Sequence, residues 1–233
     1  MEHLFYAPDI VTTPELPEEE SQHCVRVLRL KEGNEITITD GKGFLYQAVL
    51  TKADHKYCRI DIIEKRQQEP CWNFYVHIAV APTKNMDRME WFVEKATEIG
   101  VNEITCLRCR YSERREIKLH RLNKIAINAM KQSQKATLPR INEMINFHDF
   151  ITHDFIGCKM IGHCHENQKQ PVKDIYIPRK NALLLIGPEG DFSAEEVNSA
   201  LSAGFSPVSL GESRLRTETA ALVACHTIHI LNQ

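Results

Sequence analysis

The sequence predicts an α/β protein: a mostly parallel sheet with helices on both faces, preceded by a small β-barrel. Three observations carry that prediction. From Trp72 onward, short apolar runs alternate with amphipathic stretches, the pattern of parallel strands joined by crossover helices. Two of those runs, residues 74–80 and 182–186, are largely apolar throughout, as strands covered on both faces are. The first seventy residues instead carry short strand-like stretches separated by turn residues.

The elements follow in order. A helix is expected around residues 17–27. Residues 35–39 (EITIT) alternate polar and apolar, DGKG at 40–43 supplies a turn, and residues 44–50 and 57–63 continue as strands. The polar stretch 65–70 ends in Pro70 and marks a boundary, which divides the chain into domains at 1–70 and 71–233. In the second domain a strand at 74–80 leads into a helix over 85–99. Its apolar stripe of Met89, Phe92, Val93, Ala96 and Ile99 is closed by Gly100. A strand at 103–107 precedes a helix over 117–134. That helix turns Leu122, Ile125, Ala129 and Met130 inward, with Arg121, Lys124, Asn128, Lys131 and Lys135 on the other side. Strands are expected at 159–162, 183–186 and 207–210, and helices over 193–203 and 217–230. The first of those helices opens on SAEE, the spacing of a capping box.

Composition narrows the functional classes. With 233 residues, 42% of them hydrophobic and 26% charged, the chain can bury a core without disulfide or metal support. No apolar run is long enough to cross a bilayer, and the first residues lack the pattern of a signal peptide, so a cytoplasmic protein is expected. The eight cysteines are scattered, and free thiols are their expected state in a reducing compartment. Cys106 and Cys109 have the spacing of a zinc half-site but lack a second pair. His163, Cys164 and His165 are likewise not read as ligands, and no metal is expected. The net charge of −2 does not suggest a nucleic-acid partner. Its distribution does: residues 1–70 hold nine Lys/Arg against thirteen Asp/Glu, whereas residues 108–140 hold ten against two. A solvated helical face is the alternative reading of that basic stretch.

Parallel sheets bind ligands at the C-terminal ends of their strands, which directs attention to two late loops. Neither a G-x-G-x-x-G nor a G-x-x-x-x-G-K-[ST] run is present, so the usual nucleotide phosphate sites are absent. LIGPEGDFS at 185–193 joins a buried strand to a capped helix. Gly187 and Gly190 there permit close backbone approach and Pro188 stiffens the turn. LGESRLRTETAA at 210–221 carries two arginines into a helix that starts near Thr217, a position suited to an anionic or electron-rich ligand. A tight turn without ligand, and a surface helix with solvent-facing arginines, remain the alternatives for these two segments.

These segments carry a resemblance. IGPEG at 186–190, Leu210-Gly211 and LRTETA at 215–220 resemble the ribosomal RNA small subunit methyltransferase E family, 16S rRNA (uracil-N3) methyltransferases of the SPOUT superfamily. The resemblance extends over the whole chain. His23, VLRL at 27–30, Gly33 and DGKG at 40–43 are similar to that family's PUA-like N-terminal barrel. Thr83-Lys84, Arg88-Met-Glu90, Lys95, EIG at 98–100, Gln132-Ser133 and Leu138-Pro139 match later positions. The resemblance implies a deep trefoil knot in the second domain that holds S-adenosyl-L-methionine. Gly162, His163, Ile186, Gly187, Pro188, Glu189, Gly190, Leu210, Gly211, Leu215, Arg216 and Thr217 would hold the cofactor. It also implies a homodimer, and a uridine of 16S rRNA, within the 30S subunit, as substrate. Arg216 is then the expected stabiliser of the anionic uracil, and Glu218 the nearest carboxylate, available to cap the helix or pair with Arg216. His23, Arg26, Arg29, Lys84, Arg88, Arg121, Lys124, Lys131 and Arg214 are the expected RNA contacts.

The sequence departs from the family pattern in two places. Asp191 stands where a second glycine is usual, and Ser213 where arginine is common, with Arg214 one position along. Two rival readings exist: a knotted methyltransferase acting on ribose 2′-hydroxyls, and a non-catalytic RNA-binding assembly factor. The N-terminal barrel and the LRTET run argue against the first, and the intact loops against the second.

Overall fold

The structure, a computed structural model, describes residues 3–166 and 169–233, in two compact units. The first comprises the chain up to Cys71 together with Ile127–Leu138. Its sheet has the order β1 (Leu4–Tyr6), β2 (Glu35–Thr39), β3 (Phe44–Lys52), β4 (Arg59–Gln67). β1 runs parallel to β2, and the other pairs are antiparallel. The expected barrel is thus a four-stranded sheet whose end strands, β1 and β4, do not pair among the described residues. The three-residue β1 is too short to close it. The core side is filled instead by Leu16 and Cys24, from the segment that holds helix α1 (Glu18–Gln22) and the π-helical turn His23–Val27. At the β2–β3 turn the Asp40 carboxylate accepts from the backbone N–H of Lys42 at 2.8 Å and from the Tyr46 hydroxyl at 3.0 Å. Gly41 and Gly43 adopt positive φ there, of 74° and 98°. Ala136 joins this unit: its carbonyl accepts from Gly43 N and from Thr39 Oγ1.

The second unit comprises Trp72–Ala126 and Pro139–Gln233. Seven parallel strands follow the order β7 (Arg140–Asn146), β6 (Glu103–Arg108), β5 (Val76–Val80), β10 (Ala182–Ile186), β8 (Cys158–Gly162), β11 (Ser206–Ser209), β9 (Gln170–Pro171). The central strands β5 and β10 are buried at every residue, the expected result of covering both faces. α2 (Met86–Ile99) and α7 (Thr217–Ile230) pack together over β5, burying Met89, Phe92 and Val93 from α2 and Ala221, Ala224 and Cys225 from α7. α4 (Phe147–Ile151) and α6 (Ala194–Ser202) share a core cluster with Leu183 and Leu185. α6 carries the expected capping box, with Ser193 and Glu196 bonded reciprocally. Among the described residues the remaining helices are α5 (Val172–Ile175) and α3 (Leu119–Gln132), whose residues from Ile127 onward belong to the first unit. Among the described residues no helix is long and apolar enough to cross a membrane. Cys106 and Cys109 are buried, and burial pushes the Cys106 thiol up to about 12, so it is neutral and unreactive.

One polar group interrupts the α4 side of the sheet. His77 is buried, its Nε2 lies 2.8 Å from Thr105 Oγ1, and Glu103 is held by the Tyr75 hydroxyl at 2.9 Å and Asn142 Nδ2 at 2.5 Å. Burial pushes His77 down from 6.5 to about 4, with Glu103 opposing. The folded state therefore holds His77 neutral while the unfolded chain protonates near 6.5. Its contribution is complete above that value and is lost as pH falls towards 4. Stability should drop on the order of 2 kcal/mol between pH 7 and 5 from this group. His77→Gln should flatten that part of the melting-temperature profile; an unchanged pH slope would show that His77 is not the titrating group.

Candidate active site

The neighbouring strands β10, β8 and β11 end almost in line, with Gly162 level with both Ile186 and Val208. The loops that leave those three ends enclose a cavity of about 450 Å³. Such a place, outside the C-terminal ends of parallel strands, is where α/β sheets bind ligands.

The loop after β10 is a compact turn closed by a bond from Asp191 N to Pro188 O at 2.9 Å. Gly187 is needed for close packing: a β-carbon there would lie 3.1 Å from both the backbone N and the ring of buried Phe192. Gly187 and Pro188 line the cavity with Ile186. Glu189 and Gly190 do not. Glu189 Oε1 accepts from Lys84 N at 2.9 Å, and Gly190 packs beneath Tyr111.

The loop after β8 is braced against it. Asp191, with φ 66°, occupies the left-handed region, where Asp is tolerated better than most residues. Its Oδ2 accepts from Cys164 N at 2.8 Å, and His165 Nε2 lies 2.7 Å from Phe192 O. The departure from glycine thus adds a link between two loops. Lys169 Nζ adds another, donating to the carbonyls of His163 and His165 at 3.0 and 2.8 Å. Lys169 also lines the cavity, a contribution for which the sequence carries no motif. His163 lines the cavity too and is only 7% exposed, yet neither ring nitrogen has a partner among the described residues. Burial, and then Lys169, lower its basicity and keep the ring neutral. An orphaned buried imidazole facing a cavity is a ready hydrogen-bonding group for a ligand.

The third loop brings Leu210, Gly211, Arg214 and Leu215 to the cavity, and Thr217 opens α7. Thr217 Oγ1 donates to Gly187 O at 3.1 Å, which ties the loop after β11 to the loop after β10. Arg216 is the residue before α7. It is exposed, lies outside the cavity wall, and makes no ion pair among the described residues. Glu218 neither caps the helix nor pairs with Arg216. It is buried, with Oε1 3.9 Å from Arg88 Nε and Oε2 without a hydrogen-bond partner. The two residues diverge because Arg216 precedes the helix in extended conformation, whereas Glu218 lies within its first turn, facing α2.

The expected RNA contacts differ in how free they are. Lys84 Nζ pairs with Glu113 at 2.8 Å and Arg121 Nε with Glu90 at 2.5 Å. Lys124 is exposed. Within the first unit Lys131 pairs with Glu20 at 2.5 Å, so it is held by a carboxylate rather than presented on an open basic face. Arg26 and Arg29 are exposed there, and His23 is half-buried, edge-on to Phe5 at 6.2 Å.

Known proteins are similar to this chain in sequence and in fold. Residues 70–229 match the RNA methyltransferase domain and residues 16–63 the RNA methyltransferase PUA domain. The ribosomal RNA small subunit methyltransferase E of Mesomycoplasma hyopneumoniae is 31% identical over 85% of this chain and 86% of its own. A structure named as a probable rRNA-methyltransferase from Porphyromonas gingivalis is 47% identical, covers 99% of this chain and 98% of its own, and superposes with a TM-score of 0.94. The ribosomal RNA small subunit methyltransferase E of Neisseria gonorrhoeae, bound to S-adenosyl methionine, is 28% identical, with coverages of 100% and 98% and a TM-score of 0.89. The chain belongs to the ribosomal RNA small subunit methyltransferase E family of RNA methyltransferases.

Proposed function

We propose that this protein transfers a methyl group from S-adenosyl-L-methionine to N3 of a specific uridine in 16S rRNA, within the small ribosomal subunit and in the cytoplasm. The observation that carries the reading is the cavity at the ends of β8, β10 and β11, in a fold whose Neisseria relative binds S-adenosyl methionine. Its residues fit that cofactor: aliphatic walls from Ile186, Leu210 and Leu215, the orphaned imidazole of His163, and Glu212 on the lining to face a cationic sulfonium. A trefoil knot is part of the proposal. It is supported by the position of β10, which runs between β5 and β8 although it follows both in the chain. A homodimer through the second unit is supported by exposed Trp91 on α2 and Ile230 on α7, on helices that already pack together. Arg26 and Arg29 of the PUA-type unit, with His23, are assigned to RNA phosphates.

When bound, the cofactor supplies an electrophilic methyl. The residues of the chain must then hold uracil in line with it and favour loss of the N3 proton. Arg216 is assigned to the second task, because an unpaired guanidinium near the uracil carbonyls stabilises the anionic base. Glu218, at the start of α7, is assigned to holding Arg88 of α2. Asp191 fixes the loop that carries His163, so Asp191→Gly should weaken S-adenosylmethionine binding roughly tenfold in calorimetry, as loss of one hydrogen bond allows. Asp191→Asn keeps an acceptor and tolerates the left-handed backbone, so it should bind normally. Equal affinity for all three proteins would remove the brace from the account.

The reading is tested by incubating the protein with S-adenosylmethionine and small subunits that lack the modification, then analysing nucleosides by mass spectrometry. 3-Methyluridine is expected. A 2′-O-methyl product would overturn the target atom, and no product on subunits or naked RNA would overturn the activity.

A further inference from the structure

The basic excess that begins at Arg108 has a structured tip to which the proposed reaction assigns no role. Residues 109–112 form a tight turn just beyond β6: Ser112 N donates to Cys109 O at 3.1 Å, and Ser112 Oγ accepts from Cys109 N at 3.0 Å. The turn is anchored from below. Arg110 N donates to Glu196 Oε1 at 2.8 Å, so the capping-box glutamate of α6 braces the turn as well as its own helix. The Arg110 guanidinium pairs with Glu195. The following residues are tied down in turn, as Arg114 donates to the carbonyls of Thr83 and Lys84.

At the corner of this rigid turn stands Tyr111, 50% exposed. Its β-carbon side rests on Gly190, where any added β-carbon would come within 3.1 Å of Tyr111 Cβ. The glycine of the cavity loop is therefore what lets the tyrosine dock beside it. One arginine lies against the ring, and a second follows in the chain. Arg110 lies 5.8 Å from its centroid, and Arg115 lines clefts of about 400 and 540 Å³ while making no ion pair among the described residues.

An exposed aromatic ring on an anchored turn, with basic residues next to it in the chain, suits single-stranded nucleic acid, with bases stacking on the ring and cations meeting phosphates. We propose that the turn at residues 109–112 presents Tyr111 as a stacking platform for a nucleobase of the RNA substrate, with Arg115 meeting a neighbouring phosphate. This rests on the proposed RNA methyltransferase activity. It adds a contact point beside the cavity loop, supplied by the loop after β6.

The test is filter binding of a labelled 16S rRNA fragment, alongside S-adenosylmethionine calorimetry and sizing of each variant. Tyr111→Ala should weaken RNA binding roughly 10- to 100-fold, whereas Tyr111→Phe, which keeps the ring, should bind as the parent does. Arg115→Ala should weaken binding and reduce the slope of log affinity against log salt by about one. Cofactor affinity should not change in any of them. Undiminished RNA binding by Tyr111→Ala would overturn the proposal. So would a parallel loss of cofactor affinity, which would make Tyr111 a packing support for Gly190, or a change of oligomeric state, which would place a second copy on the ring. Normal 3-methyluridine formation with Tyr111→Ala indistinguishable from parent would sink this inference alone. Tyr111-dependent RNA binding without methylated product would sink the proposed reaction alone.

Discussion

Replacing Arg216 with alanine should cut methyl transfer about a hundredfold while leaving S-adenosylmethionine affinity intact, the loss typical of removing one donor from an oxyanion-stabilising site. The expectation rests on where the side chain is and what it lacks. Arg216 immediately precedes α7 between two residues of the cavity wall, Leu215 and Thr217, but is exposed and unpaired among the described residues. A cation with no protein partner is free for a ligand, and its removal strands no carboxylate. Melting temperature should therefore hold, which separates a chemical role from a structural one. Uracil N3 carries a proton at neutral pH, so a group that stabilises the anion matters most where deprotonation is unfavourable. The deficit of the variant should narrow as pH rises. Arg216→Lys keeps the charge but loses the planar fork, and an intermediate rate is expected. Unchanged turnover in Arg216→Ala, across the pH range, would remove the residue from the mechanism.

How far the sequence reached can be judged element by element. The α7 helix was legible to its end residues, because LRTETAA opens it and an apolar run sustains it. The strands β5 and β10 were legible because both faces are buried and the apolar signal is continuous. β7 was not: it is an edge strand, RINEMIN, with mostly polar residues, partly or fully exposed. β9 has two residues and no pattern. The packing of Ile127–Leu138 with the first unit leaves no local signal either, since it depends on contacts such as Thr39 to Ala136, 97 residues apart. At the site, the three loops were legible as glycine-containing strand ends. The direction of single side chains within them was not. IGPEG reads as one ligand loop, yet only its first three residues line the cavity, because Glu189 turns to Lys84 N and Gly190 lies under Tyr111. Glu218 takes neither of its two expected structural roles, capping the helix or pairing with Arg216, because the first turn of α7 directs it to Arg88.

Gly187→Val should lower S-adenosylmethionine affinity by about a hundredfold. The β-carbon would not enter the cavity. It would meet the Phe192 backbone N and ring at 3.1 Å, and Phe192 is fully buried against Phe147, with ring centroids 5.2 Å apart. A packed aromatic core yields little, so the loop is the part that moves. Overpacking of this kind costs roughly 1–3 kcal/mol. Taken up as displacement of Ile186 and Pro188, that strain corresponds to about 5- to 150-fold in binding. The Gly187 carbonyl shifts as well, and it is the acceptor for Thr217 Oγ1; the start of α7, with Arg216, would move with it. Valine should therefore lower both cofactor affinity and the rate at saturating cofactor, whereas Arg216→Ala lowers only the rate. Gly187→Ala, with one carbon to accommodate, should fall between parent and valine. The protein is expected to remain folded, since the strain is smaller than the roughly 5–15 kcal/mol of a typical domain, and a melting curve checks this. Calorimetry that finds normal affinity in a folded Gly187→Val protein would exclude the loop after β10 from the cofactor site and leave the cavity at the ends of β8 and β11 without its third wall.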